Sequence, residues 1–155
     1  MRRSAVAAIP WVGFRVGEVP LAVEARLVLG VAWSSDLIEV PLALNCVAGV
    51  IVMEGRVVPV FDLGLVPSAW NKVPPGGGDQ IVIMGEGEVE AGILASRTET
   101  FSAGPPTEGA VRERIPGALR EAMLSGVLEA RGLAWGVLSV PDALHAAGVP
   151  KTYSG

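Results

Sequence analysis

The residue types that do most chemistry are scarce in this chain. Its 155 residues include one cysteine (Cys46), one histidine (His145) and one tyrosine. A lone cysteine excludes an internal disulfide and suits a reducing compartment. Positive charge is also thin. Twelve Lys and Arg stand against 16 Asp and Glu, for a net charge of −4, and no basic block occurs. Nucleic acid is therefore not an expected partner, because phosphate recognition needs clustered cations. Long apolar runs are missing too. The stretch from Val40 to Met53 is uncharged but holds Pro41 and Asn45, and it falls short of the roughly 20 residues a spanning helix needs. No direct membrane insertion is expected. Arg2-Arg3 followed by Ser4 to Trp11 faintly mimics a secretion signal, but Arg15 ends that run early and Trp11 to Phe14 reads as strand.

What remains is rich in Val, Leu, Ala and Gly. Half of the residues are hydrophobic, with 20 Gly and 12 Pro, which argues against disorder and for short strands joined by tight turns. A chain of this length buries roughly 68–70% of its unfolded surface, enough for a core without staples. Hairpins are expected where two β-branched runs flank an X-Gly or Gly-X pair. They fall at 5–25 around Gly17-Glu18, at 47–63 around Glu54-Gly55, at 80–95 around Glu86-Gly87, and at 126–138 around Arg131-Gly132. Further strands are expected at 26–33 and 98–101, with a helical turn at 42–48, a short helical passage at 115–124 and a closing helix at 140–148. Pro59 cannot donate a ladder hydrogen bond, so its strand is expected at an edge or with a bulge. The pattern predicts a mainly β, barrel-like fold.

The stretch from Val47 to Leu63 carries a resemblance. Gly49, the Glu54-Gly55 turn and Arg56-Val-Val-Pro-Val-Phe-Asp-Leu63 resemble the core motif of the CheW-like domain family, "G-x-I-N-x-R-G-x-V-V-P-V-x-D-L". Phe14, Val16, Gly17, Leu21 and Val23 match the family's opening, and Gly92-Ile93-Leu94 match a later strand. The resemblance covers about 8–147. It implies two small five-stranded β-barrels of SH3-like or OB-like type packed together, with a groove between them and a short C-terminal helix. Subdomain 1 is expected at about 14–64 plus the helix at 140–148. Subdomain 2 is expected at about 80–138, with the N-terminal strand as a candidate member, and 65–79 forms a Pro/Gly-rich loop.

The resemblance also implies a function. CheW-like proteins are non-enzymatic adaptors of bacterial chemosensory arrays. They are cytoplasmic, gather at receptor clusters, and couple chemoreceptor helical tips to the regulatory domain of a CheA-type histidine kinase and to other CheW-like domains. Carried over, the receptor and kinase contacts involve Leu21, Val23, Arg26, Val28, Met53, Glu54, Arg56, Gly92, Ile93 and Leu94. Gly49, Gly55, Pro59, Asp62 and Leu63 form the structural motif. Three departures mark a divergent member. The motif Asn falls at Val52, the motif Arg falls at Glu54, and a later family Asp falls at Ser96. The charge reversal at Glu54 is expected to alter or remove kinase coupling.

His145 lies among Ala and Leu and reads as a packing or surface residue, and Cys46 as a small buried hydrophobe. Gly76-Gly-Gly78 is not followed by Lys-Ser/Thr, so a phosphate loop is not expected. Asp62, at a strand end, reads as a turn cap. Trp11, Trp33 and Trp135 read as core, whereas Trp70 in the loop is either a contact anchor or folded back on its own barrel. No cofactor, metal site or catalytic group is expected. Two rival readings are a small β-barrel ligand-binding or enzymatic domain and a structural or nucleic-acid-binding barrel. The first needs a deep pocket with convergent titratable groups; the second, in its nucleic-acid form, needs a basic aromatic face.

Overall fold

A computed structural model describes residues 8–40, 47–63, 78–107, 124–139 and 141. Nine strands account for most of them. The expected hairpins are all present. They are β1 (Ile9–Val16) with β2 (Val19–Glu24), β4 (Val47–Met53) with β5 (Arg56–Phe61), β6 (Gln80–Glu86) with β7 (Val89–Ala103), and β8 (Leu124–Ala130) with β9 (Leu133–Leu138). β3 (Val28–Trp33) follows a 3-10 turn at Ala25–Leu27. At the Glu54-Gly55 and Arg131-Gly132 turns both residues take positive φ. That backbone twist matches the twist of the flanking strands, and glycine at the second position adopts it without a Cβ clash.

The strands form two five-membered groups that share β7. One runs β7-β1-β2-β9-β8 and the other β3-β6-β7-β5-β4. In both, the ladders run antiparallel, antiparallel, parallel and antiparallel in that order. The two groups are therefore copies of one plan, with β6 standing where β1 does and β3 standing where the end of β7 does. Even the irregularities repeat. The β4–β5 ladder shifts register between Val47 and Gly49, and the β8–β9 ladder between Leu124 and Gly126. Neither group closes through a strand ladder among the described residues. Each is instead stitched by one isolated bridge, Ile38 to Val50 and Thr107 to Val127.

Each half has its own core. Trp11, Ala22, Phe101, Leu128, Trp135 and Val137 fill the first, the aromatic half. Ile51, Val58, Val60, Ile81, Ile83 and Leu94 fill the second, the aliphatic half. A third and larger cluster joins them. In it Val12, Phe14, Leu21 and Val23 of β1 and β2 meet Phe61, Val82, Met84 and Ile93 of the other half. Gly13 makes room in the aromatic half, where a Cβ would stand 2.6 Å from Trp135 Cζ3. The Trp135 indole donates to the Ala130 carbonyl at 2.8 Å, and the Trp11 indole to the Ala103 carbonyl at 3.3 Å. Both buried N–H groups thus have partners, as burial demands.

The mainly β prediction holds, with corrections in detail. The strands group by pairing and not by sequence. β1 and β2 ladder with β7 and β9 and not with β3 to β5, so no boundary near residue 64 separates the halves. The strand expected at 98–101 is the continuation of β7 through Arg97, which takes positive φ. β5 is not an edge strand, since it lies between β4 and β7. Its parallel ladder to β7 starts at Val60, one residue past Pro59, and the bulge sits in β4 opposite. Val47, Ala48 and Leu124 are in strands where helical turns were expected. The remainder of the turn at 42–48, most of the passage at 115–124, nearly all of the helix at 140–148 and most of the loop at 65–79 lie outside the described residues, as do Cys46, Trp70 and His145.

Candidate functional site

Two surfaces qualify as sites, a seam between the halves and a groove in the aliphatic half. The seam follows from the chain path. β2 ends at Glu24, the 3-10 turn at Ala25–Leu27 crosses from one half to the other, and β3 begins there. A cavity of about 110 Å³ opens beside this crossing, among Trp11, Glu24, Arg26, Leu27, Glu86 and Ser139. Arg26 is exposed and its Nε donates to Glu24 Oε1 at 2.8 Å. The seam is therefore polar at its mouth, and its apolar lining is made by Leu27 and the buried Trp11, Val137 and Leu138.

A second polar feature lies at the β4–β5 turn. Arg56 Nε donates to Glu90 Oε1 at 3.1 Å, and its Nη1 lies 3.7 Å from Glu54 Oε1. Two carboxylates thus share one guanidinium. All three side chains are exposed, so screening limits the stabilisation to under about 1 kcal/mol. The turn's value lies in the charge it presents.

The expected contact residues divide accordingly. Arg26, Glu54 and Arg56 are exposed on the rims, and Val28 and Met53 are half-buried. Leu21, Val23, Ile93 and Leu94 are core residues, at 7% exposure or less. Gly92 is packed against Ile81 and Val60 side chains. These five cannot touch a partner directly and are corrected to supports of the surface above them. The motif residues have physical roles. A Cβ on Gly49 would collide with the Ile38 carbonyl, which is the point where the isolated bridge draws the two segments together. Asp62 and Leu63 are buried at the end of β5.

The groove in the aliphatic half was not anticipated. It encloses about 380 Å³ between β3 and β4, lined by Val31, Ile38, Val52 and Met53 with Gly30, Ala32, Ile51 and Ile83, and with Asp36 as its one charged residue. Trp33, expected in the core, is 60% exposed beside it. The signal in sequence was Leu29-Gly-Val-Ala-Trp33, which alternates large with small where a half-buried strand would alternate apolar with polar.

Among the described residues, no group of three or more His, Cys, Asp and Glu could hold a metal ion. None of their helices is long and apolar enough to cross a membrane.

Against known proteins, the model of the CheW-like domain matches residues 10–148. The chain belongs to the CheW-like family. No curated protein sequence matches it. Among solved structures, the scaffolding protein TtCheW from Thermoanaerobacter tengcongensis superposes with a TM-score of 0.67 at 16% identity, covering 90% of each chain. That likeness shows the fold. As a CheW-like domain the chain is a chemotaxis scaffold and not an enzyme.

Proposed function

We propose that this CheW-like domain is a cytoplasmic adaptor at receptor clusters of a bacterial chemosensory array. It holds the helical tip of a chemoreceptor at the seam and offers its rims to the regulatory domain of a CheA-type histidine kinase and to other CheW-like domains. The output is two-component signalling to motility. The observation that carries this reading is the family match across 10–148, combined with a seam whose mouth is polar and whose floor is apolar. A helix laid in a groove needs that combination, an apolar stripe for affinity and a polar rim for orientation.

The rim charge sets partner choice. Where the motif has Arg, Glu54 is 80% exposed on its side chain. A reversed exposed charge repels a partner built for the usual one and slows its encounter. Arg56 does not restore the pattern, because Glu90 and Glu54 already neutralise it. Kinase coupling is therefore altered or lost, while receptor binding through Arg26 and the seam persists.

The experiment is a pulldown with cognate receptor-tip and kinase regulatory fragments. Receptor binding at micromolar concentration with weak kinase binding supports the reading, and Glu54→Arg should then strengthen kinase binding. Failure to retain either fragment rejects the adaptor role.

A further inference from the structure

The internal repeat exposes an asymmetry. The two halves share one strand plan, so each outward position in one has a counterpart in the other. On the aromatic half the outward positions at the end of β7 are Thr98, Thr100 and Ser102, and Glu129 stands on β8. On the aliphatic half the counterparts are Leu29, Val31, Trp33 and Val52. One half covers this face with hydroxyls and a carboxylate, and the other leaves it apolar. The interiors differ in the opposite sense. Where the aromatic half is plugged by Phe101 and Trp135, the aliphatic half has Ala32 and Val58. Ala32, where the other half has Phe101, lines the groove of about 380 Å³ between β3 and β4.

The apolar face is continuous. Val31, Ile38 and Val52 line the groove, Leu29 and Trp33 flank Val31 on β3, and Val57 pairs with Val52. Their exposures run from 45% at Leu29 to 66% at Val57. Together they leave on the order of 600 Å² of surface in water, the top of the range for a monomer's largest patch. That is about three quarters of the roughly 800 Å² each partner contributes to a stable interface, before any polar rim is counted.

We propose that this face pairs with the same face of a second copy of the chain, each copy placing Trp33 in the other's groove. Three observations favour a second copy. A two-fold interface needs projection and recess on one patch, and Trp33 and the groove are both here. β3 carries no charge from Val28 to Trp33, and Asp36 is the one charged residue lining the groove, so the surface that two copies bring together is almost wholly apolar. The apolar area alone supplies most of what a dimer requires.

Sedimentation velocity on the full chain tests this, from micromolar to near-millimolar concentration. The dimer fraction should rise with concentration, and added salt should not reduce it, since no ion pair holds the contact. Trp33→Ala and Val31→Glu should each weaken association about tenfold or more. Thr100→Glu, at the matching place on the other half, should change nothing. Unchanged thermal unfolding of Trp33→Ala keeps the result interpretable should Val31→Glu misfold. A wild-type chain that stays monomeric throughout overturns the proposal. So does a dimer indifferent to both substitutions. A monomer whose Trp33→Ala variant loses binding to the kinase regulatory domain assigns the face to that partner and overturns it equally.

Discussion

Gly13→Ala tests whether the aromatic core is as tightly determined as its geometry indicates. An alanine Cβ at this site would stand 2.6 Å from Trp135 Cζ3 and 2.7 Å from Phe101 Cε2. Carbon atoms settle at about 3.5–4.0 Å, so each ring would have to withdraw by roughly 1 Å. Neither has room. Trp135 is fully buried and tethered through its indole to the Ala130 carbonyl, and the Phe101 centroid lies 4.9 Å from it. Arg15 adds a further restraint, its Cζ lying 5.5 Å from the indole centroid. Overpacking of this kind costs about 1–3 kcal/mol, and two ring collisions put it in the upper half of that range. Removing a strand glycine returns roughly 0.5–1 kcal/mol. The net loss is about 1–2 kcal/mol, or a fall in Tm of about 2–8 °C for a chain of this size. Gly30→Ala is the control. Its Cβ would find only Met53 Sδ, at 4.0 Å, so it should hold or raise Tm. Thermal unfolding followed by circular dichroism reads both. A Gly13→Ala chain as stable as the parent, or two alanines that shift Tm together, would refute the reasoning.

Two other substitutions extend the argument. Gly49→Ala drives a methyl into the Ile38 carbonyl, so it should destabilise by about 2 kcal/mol or more, seen as a lower denaturant midpoint, with faster amide exchange at Val50. Arg56→Ala releases Glu54 and Glu90 but should change stability by less than about 1 kcal/mol. Its effect should show instead as altered salt dependence of partner binding.

The sequence announced its hairpins because X-Gly and Gly-X turns between β-branched runs are local signals. Gly17, Gly55, Gly87 and Gly132 each did their work within four residues. The pairing of β1 with the far end of β7 was hidden, because nothing local joins Trp11 to Phe101. The repeat was hidden for a related reason. Trp135 in one half answers to Val58 in the other, so backbone plan is shared while side-chain identity is not. At the site, the exposed rim residues Glu54, Arg56 and Arg26 were legible from motif position and charge. Leu21, Val23, Ile93 and Leu94, carried over from the family resemblance as contact residues, are instead buried. In this fold both faces of those strands meet protein. Trp33 escaped because tryptophan defaults to the interior, and only its small neighbours Gly30 and Ala32 hinted otherwise.

β7 runs unbroken from Val89 to Ala103 through both halves, laddering with β6 along its first part and with β1 along its second. It acts as a common axle. The halves cannot swing on a hinge at this strand without tearing one of its ladders. Inserting a single residue near Ser96 would invert every side chain downstream, sending Phe101 to solvent and its neighbours inward. A pull applied to one half is therefore felt in the other through covalent backbone, without bending between them.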